Sequence, residues 1–177
     1  MAWRRRSLLA CAAALPLGMA ARAQTLDEAR VKARLTLTLA RYTQWPAASA
    51  GAGSDALVLC VAQRSDVLAL AFGELAGQAV AGRPVRVRTS PPPAAAGCHV
   101  LFVQDGAERD AAALLAAARG TPLLTVGDGD GFAARGGMVE LVNVNDAMRL
   151  DVNLRALRSA RLELSSRVLQ LARQVRD

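Results

Sequence analysis

The fold is decided near the end of the chain, where residues 136–142 read GGMVELV and residues 148–153 read MRLDVN. In the second stretch apolar and charged side chains alternate, which is the period of a half-buried β-strand. Residues 143–147 between them are turn-forming, so we expect an antiparallel hairpin entered through two glycines. Residues 165–172, SSRVLQLA, predict a short closing helix with a serine cap.

The amino terminus has the three regions of an export signal. Three adjacent arginines precede an apolar run, and the small residues Ala21 and Ala23 follow it. The run is shorter than the about 20 residues that a membrane-spanning helix needs, which favours a cleaved leader over an anchor. We therefore expect a signal peptide at residues 1–23, export to the periplasm, and one domain at residues 24–177.

The basic charge of the chain comes largely from this leader. The whole chain has 22 basic and 15 acidic residues, a net of +7. Removing the four arginines of the leader leaves 18 basic against 15 acidic residues, a net of +3. Because the remaining arginines are scattered among acids and no aromatic platform accompanies them, we expect no nucleic acid partner.

The exported part alternates between helical and strand patterns. Thr25 and Glu28 have the spacing of a capping box, and Pro46 ends the helix that follows. Alternation of strands and helices predicts a single α/β domain with a mostly parallel sheet, helices on both faces, a carboxyl-terminal antiparallel hairpin and a closing helix. The predicted helices cover residues 26–42, 66–75 and 107–119, and the predicted strands before the hairpin cover residues 57–62, 83–88, 99–103 and 121–126.

Two cysteines remain after the leader, Cys60 and Cys98. An even count in an oxidising compartment favours a disulfide between them, although two buried thiols or a cysteine that links a dimer are alternatives. Neither metal nor catalytic chemistry is indicated elsewhere, since His99 is the single histidine and residues 127–131, GDGDG, lack the acids of a calcium loop. We expect a structural histidine, a flexible glycine turn, no cofactor and no enzyme.

Three motifs in order resemble the YfiR family of exported regulators. They are Trp45-Pro46 after a helix with Lys32 and Tyr42, Gly136-Gly137-Met138, and Ser165-Ser166-Arg167. The resemblance supports the Cys60–Cys98 bond, because family members have a cysteine in each of the two corresponding strands, the first and the third along the chain. Some members have a second cysteine pair near the hairpin, which this chain lacks, so no redox role of that pair carries over.

The resemblance also implies a function and its partners. It implies a dimeric periplasmic protein that binds the periplasmic sensor domain of an inner-membrane diguanylate cyclase and represses it, with an outer-membrane lipoprotein as antagonist. Tryptophan, tyrosine and arginine are common interface anchors, so Trp45, Tyr42 and Arg41 are the candidate partner-binding residues, with a place in the core as the alternative for Trp45. Lower cyclic di-GMP and less biofilm would follow.

An alternative is a periplasmic module that senses a small ligand for another membrane signalling protein. Ligands of open parallel sheets bind beyond the carboxyl ends of the strands. Residues 63–65, 104–105 and 127–131 would then line the pocket.

The leader makes a direct prediction about processing. Purified periplasmic protein should begin at Gln24, because cleavage is expected after Ala23. Intact-mass spectrometry checks this, and a mass that retains residues 1–23, or a lipid on Cys11, would contradict it.

Overall fold

The computed structural model describes residues 17–46, 55–90 and 95–177, with residues 17–24 and 108–111 described by their backbone alone. The predicted leader therefore lies mostly outside the described residues, as do the loop at residues 47–54 and the proline run at residues 91–93. The helices are α1 (Leu17–Arg41), α2 (Asp66–Gly73), α3 (Glu108–Ala118), α4 (Leu154–Ser159) and α5 (Ser166–Leu171). The strands are β1 (Thr43–Gln44), β2 (Leu57–Ala62), β3 (Ala79–Val80), β4 (Arg83–Arg88), β5 (Val100–Val103), β6 (Leu124–Gly127), β7 (Val139–Val144), β8 (Ala147–Asn153), β9 (Glu163–Leu164) and β10 (Gln174–Arg176).

Eight of these strands form one sheet in the order β10-β8-β7-β6-β5-β2-β4-β3. The central pairs are parallel, and antiparallel pairing occurs between β7 and β8 and between β3 and β4. The central strands β2, β5 and β6 are buried along their whole length, as the continuous apolar runs of a sheet covered on both faces require. The predicted α/β fold with its antiparallel hairpin is confirmed.

Each face of the sheet has its own apolar cluster. On one face, Leu59, Val61 and Phe102 pack with the buried residues of α1, α2 and the carboxyl-terminal helices. On the other face, Val58 and Leu101 pack with α3 through Leu114 and Ala118. The alternation of neighbouring strand residues between the two clusters follows from the two-residue period of a strand.

A tight aromatic contact fixes the segment between β6 and β7. The ring of Phe132 lies against the backbones of Gly127 and Gly137, so a Cβ added at either glycine would approach the ring more closely than 3.0 Å. Glu140 of β7 then accepts hydrogen bonds from the backbone N–H groups of Gly131, at 2.8 Å, and Ala133, at 3.0 Å. Of the two glycines at the predicted entry to the hairpin, Gly137 is required by the packing of Phe132, whereas Gly136 has a φ of +105° and open space around it.

The first helix is longer than its pattern predicts. It begins at Leu17 and ends at Arg41, so Thr25 lies inside the helix and not at a cap. The alanine-rich residues before Thr25 continue the helix, since alanine has the highest helix propensity. Cleavage after Ala23 would make residues 24–25 the start of the helix.

Other boundaries differ for local reasons. Ser65 precedes α2 but makes no side-chain cap hydrogen bond, and α2 ends at Gly73, before the predicted end at residue 75. The strand β4 is flanked by the two-residue β3, which lies at the edge of the sheet. The hairpin turn is only two residues, Asn145 and Asp146, both with positive φ. These two residue types tolerate that conformation in the tight turns that match strand twist.

The carboxyl-terminal region contains elements that the sequence pattern does not predict. They are α4, β9 and the edge strand β10, which pairs in parallel with β8. Asp151 of β8 was expected on the polar face of a half-buried strand, but it is 2% exposed. It is buried because Arg173, just before β10, covers it with two hydrogen bonds of 2.9 and 2.5 Å.

The Cys60–Cys98 disulfide is present, with 5.9 Å between the Cα atoms. Parallel pairing places Cys60 opposite Leu101, so Cys98 precedes its own strand. The turn from Ala95 to Gly97, where Gly97 has a φ of +73°, lies directly before Cys98 and frees it from the strand register. The predicted bond is confirmed, and Cys98 can reach Cys60 because it lies before the first residue of β5.

Replacing Cys98 with serine should lower the free energy of unfolding by about 2–5 kcal/mol, because the bond closes a long loop in the unfolded chain. Chemical denaturation under oxidising conditions measures this. The Cys60→Ala/Cys98→Ser double variant and reduced wild-type protein serve as controls. Equal stability of oxidised and reduced wild-type protein would contradict a stabilising bond.

Replacing Gly137 with alanine should destabilise the fold by about 1–3 kcal/mol, because the new methyl group overlaps the ring of Phe132. Thermal and urea denaturation measure the loss. Gly73→Ala is the matched control, since a Cβ there meets nothing within 4 Å. A Gly137→Ala variant as stable as Gly73→Ala would show that the Phe132 contact is not tight in solution.

Candidate functional site

Two distant motifs meet at the end of α1. The strand β1 directly follows α1 and pairs antiparallel with β9, so Thr43 faces Leu164 and Gln44 faces Glu163. The N–H of Ser165 donates to the carbonyl oxygen of Tyr42 at 2.9 Å. This two-stranded junction therefore brings the Trp45-Pro46 motif next to the Ser165-Ser166-Arg167 motif.

The junction displays part of the predicted partner-binding set. Arg41 is exposed, and among the described residues its guanidinium makes only long hydrogen bonds, of 3.4 Å to Gln78 and 3.5 Å to the carbonyl oxygen of Ala79. Tyr42 is 41% exposed. Leu171, on the helix that begins beside Tyr42, is 74% exposed. An exposed tyrosine, an arginine with few fixed contacts and an apolar side chain are the residue types of a protein interface.

Trp45 has a different position from Arg41 and Tyr42. Its ring is half-buried and packs against the main apolar cluster. Its indole Nε1 is buried and has no hydrogen-bond partner among the described residues. Trp45 therefore packs into the core beside the junction, and Tyr42 is the more accessible of the two aromatic side chains.

Lys32 belongs to the motif that includes Trp45. Its ion pairs connect α1 to the edge of the sheet where the parallel strands end. Its Nζ lies 2.7 Å from Asp128, which follows β6, and 2.8 Å from Glu28. Burial lowers the pKa of Lys32, but the hydrogen bonds to the two carboxylates outweigh burial and raise it above its ordinary value. Asp128 also accepts the N–H of Asp105 at 2.6 Å. The glycine turn expected to be flexible is thus held by a partly buried ion pair.

The predicted ligand site divides into a closed crevice and an open cavity. Between β2 and β5, where the strand order reverses, the N–H of Arg64 donates to Gln104 at 2.7 Å and its guanidinium donates to the carbonyl oxygen of Gly106 at 3.1 Å. These bonds join the two loops across the crevice. A cavity of about 270 Å³ opens beside it, lined in part by Gln104, Asp105 and Gly129 of the predicted set.

His99 stands in a structural hydrogen-bond network. Its Nδ1 lies 3.1 Å from the N–H of Val58, and its Nε2 lies 2.9 Å from the guanidinium of Arg83. Burial and the positive charge of Arg83 lower the pKa of His99, so its neutral form is favoured. Within the described residues, no group of three or more histidine, cysteine or acidic side chains could hold a metal ion.

Sequence patterns did not predict that the side chains of three acids, namely Asp128, Glu140 and Asp151, are shielded from solvent. Each is an acid in or beside a strand, and there the two-residue period by itself predicts that a charged side chain faces solvent.

The described helices include none long and apolar enough to cross a membrane.

Two solved structures align with part of the chain. A conserved domain protein from Vibrio cholerae O1 biovar El Tor strain N16961 has a TM-score of 0.49 and 15% identity, and the alignment covers 67% of this chain and 54% of that one. The ABC domain in complex with L-Trp from Streptococcus pneumoniae has a TM-score of 0.49 and 13% identity, with 68% and 55% covered. The chain thus spans about half the length of these two structures. No curated protein matches this chain in sequence.

A family model described as YfiR/HmsC-like matches residues 29–173. The match includes the three motifs, the two disulfide cysteines and Lys32. It extends from α1 to Arg173, the residue that pairs with the buried Asp151. The chain therefore belongs to the YfiR/HmsC-like family.

Proposed function

We propose that this protein binds the periplasmic sensor domain of an inner-membrane diguanylate cyclase and holds that enzyme inactive. Membership of the YfiR/HmsC-like family supports a periplasmic regulator of cyclic di-GMP signalling, in a family that is regulatory and not catalytic. The observation that carries the proposal is the β1–β9 junction, which joins two family motifs under an exposed Tyr42 and Arg41.

The junction suits a partner because it is held rigidly. Thr43 is buried, and its hydroxyl donates to the carbonyl oxygen of Leu39 at 2.8 Å. Together with the β1–β9 pairing, this fixes the backbone that carries Tyr42. A side chain on a fixed backbone loses less conformational entropy when it binds, which favours affinity.

Repression sets an energetic requirement. Moving a partner from mostly active to mostly inactive requires a preference for the inactive form of about 5 kcal/mol. An interface of standard size with one or two aromatic or arginine anchors can supply that difference. Tyr42 and Arg41 are the exposed anchors, and Trp45 packs against the core beside them.

Deleting the gene should raise cyclic di-GMP and biofilm formation, and complementation with wild-type protein should restore both. Tyr42→Ala should fail to restore them, because loss of an interface anchor costs about 2 kcal/mol or more, roughly thirtyfold in Kd. Cyclic di-GMP is measured by mass spectrometry of cell extracts. Trp45→Ala should also fail to restore them, with an added loss of stability from its packing in the core.

Leu70→Ala is the matched control, since Leu70 is 59% exposed on α2 and lies apart from the junction. It should complement as wild type does. Circular dichroism of the purified variants checks that Tyr42→Ala is folded. Unchanged cyclic di-GMP after deletion, or equal complementation by Tyr42→Ala and Leu70→Ala, would contradict the proposal.

A second candidate function is the sensing of a small ligand for a membrane signalling protein. The cavity of about 270 Å³ at the carboxyl ends of β5 and β6 favours it. This is the place where ligands bind in open parallel sheets.

A further inference from the structure

We propose that this cavity binds a small organic anion with an apolar body, such as an aromatic carboxylate or phosphate. The proposal rests on the second candidate function and is independent of the partner surface at the β1–β9 junction. The cavity lies between α3 and residues 129–135, next to the carboxyl end of β5. Its lining is Val103, Gln104, Asp105, Ala112, Leu115, Arg119, Gly129, Phe132 and Arg135.

The charges of the cavity favour an anion. Two arginines line the cavity, Arg119 from the end of α3 and Arg135 from the segment before β7, and Asp105 is the single acid among the lining residues. The guanidinium group of Arg119 has no hydrogen bond or ion pair among the described residues, and only its backbone N–H is bonded, to the carbonyl oxygen of Ala116. An arginine guanidinium matches the geometry of a carboxylate or phosphate with two parallel hydrogen bonds, so an uncommitted arginine at a cavity is suited to either group.

The guanidinium of Arg135 is held in a position where it can also bind the anion. One of its guanidinium nitrogens donates to the carbonyl oxygen of Asp130. A Cβ at Gly129 would lie 3.6 Å from its other terminal nitrogen and 3.1 Å from the carboxylate of Asp105. The lack of a side chain at Gly129 therefore leaves space between the two charged groups. A guanidinium with a fixed position loses little entropy when it binds a ligand.

The remaining walls are apolar. Val103 and Phe132 are each 3% exposed and form the inner wall, and Leu115 of α3 faces them. A volume of about 270 Å³ is slightly below the range of sites for drug-sized ligands, roughly 300–1,000 Å³. The cavity therefore suits one aromatic ring with a short acidic arm better than a nucleotide or a peptide.

The test is a titration of the purified mature protein with phenylacetate, phenyl phosphate and the neutral phenylacetamide, followed by calorimetry and thermal shift. We expect saturable binding of at least one anion and no binding of the amide at the same concentrations. The tighter of the two anions identifies the acidic group that the site prefers. Absence of binding by both anions at several millimolar, or equal binding of phenylacetate and phenylacetamide, would overturn the proposal.

Variants place the binding in this cavity. Arg119→Gln should weaken the anion roughly tenfold or more, because a hydrogen bond to a charged group is lost. Arg86→Gln, an exposed arginine on β4, is the matched control and should bind as wild type does. Ala112→Phe fills the cavity from an exposed helix position without changing charge and should abolish binding while the melting temperature stays near wild type. Equal affinities of Arg119→Gln and Arg86→Gln would place the anion elsewhere and overturn the assignment.

These results also separate the two functions. Arg119→Gln should still restore cyclic di-GMP to wild-type levels in the complementation assay, because it leaves the β1–β9 junction intact. Loss of anion binding with normal complementation would leave the regulator proposal standing. Normal anion binding by Tyr42→Ala would leave the ligand proposal standing whatever its complementation shows.

Discussion

The carboxyl edge of the sheet depends on the contact of the Phe132 ring with the backbones of Gly127 and Gly137. Any side chain at either glycine would displace the ring. With the ring in place, the segment between β6 and β7 turns back so that two of its N–H groups point at Glu140. Asn153 adds a hydrogen bond of 2.8 Å from its amide to the carbonyl oxygen of Ala133. A long connection thereby has its polar backbone groups satisfied inside the protein, as burial requires.

The segment between β6 and β7 is connected to α1 and to the loop after β5. Asp128 stands just before it and pairs with Lys32 of α1, while its other oxygen holds the loop after β5 through Asp105. Only 5% of the Asp128 side chain is exposed, and the pairing with Lys32 offsets the cost of shielding its charge from water. The same helix ends at the β1–β9 junction. One helix therefore contacts both the edge that carries the cavity and the surface that carries Tyr42.

At the opposite edge of the sheet, an ion pair holds the carboxyl-terminal strand β10 against β8. Arg173 covers Asp151, and its N–H donates to the carbonyl oxygen of Leu150 at 2.7 Å, which places β10 beside β8. The hydrogen bonds to Asp151, together with its negative charge, raise the pKa of Arg173 above its ordinary value. An acid inside an apolar hairpin thus becomes the attachment point for the last strand.

The sequence by itself determined the features that depend on local period and on residue chemistry. These are the hairpin, the alternation of strands and helices, the disulfide pair and the family motifs. The hairpin and the alternation were predictable because a strand repeats every two residues and a helix every 3.6, whatever surrounds them. The disulfide pair and the motifs were predictable from residue chemistry and order. The leader is also a prediction of this kind, and most of it lies outside the described residues.

Only the tertiary structure decided which distant residues meet. A two-residue strand such as β1 has no period, so its pairing with β9 could not be predicted, and neither could the meeting of two motifs there. The buried acids Glu140 and Asp151 follow the pattern of exposed residues, and only their neighbours make burial tolerable. The cavity between Arg119 and Arg135 exists because α3 packs across from a segment that Phe132 holds in place, and both its walls are set by packing between parts of the chain that sequence period does not relate.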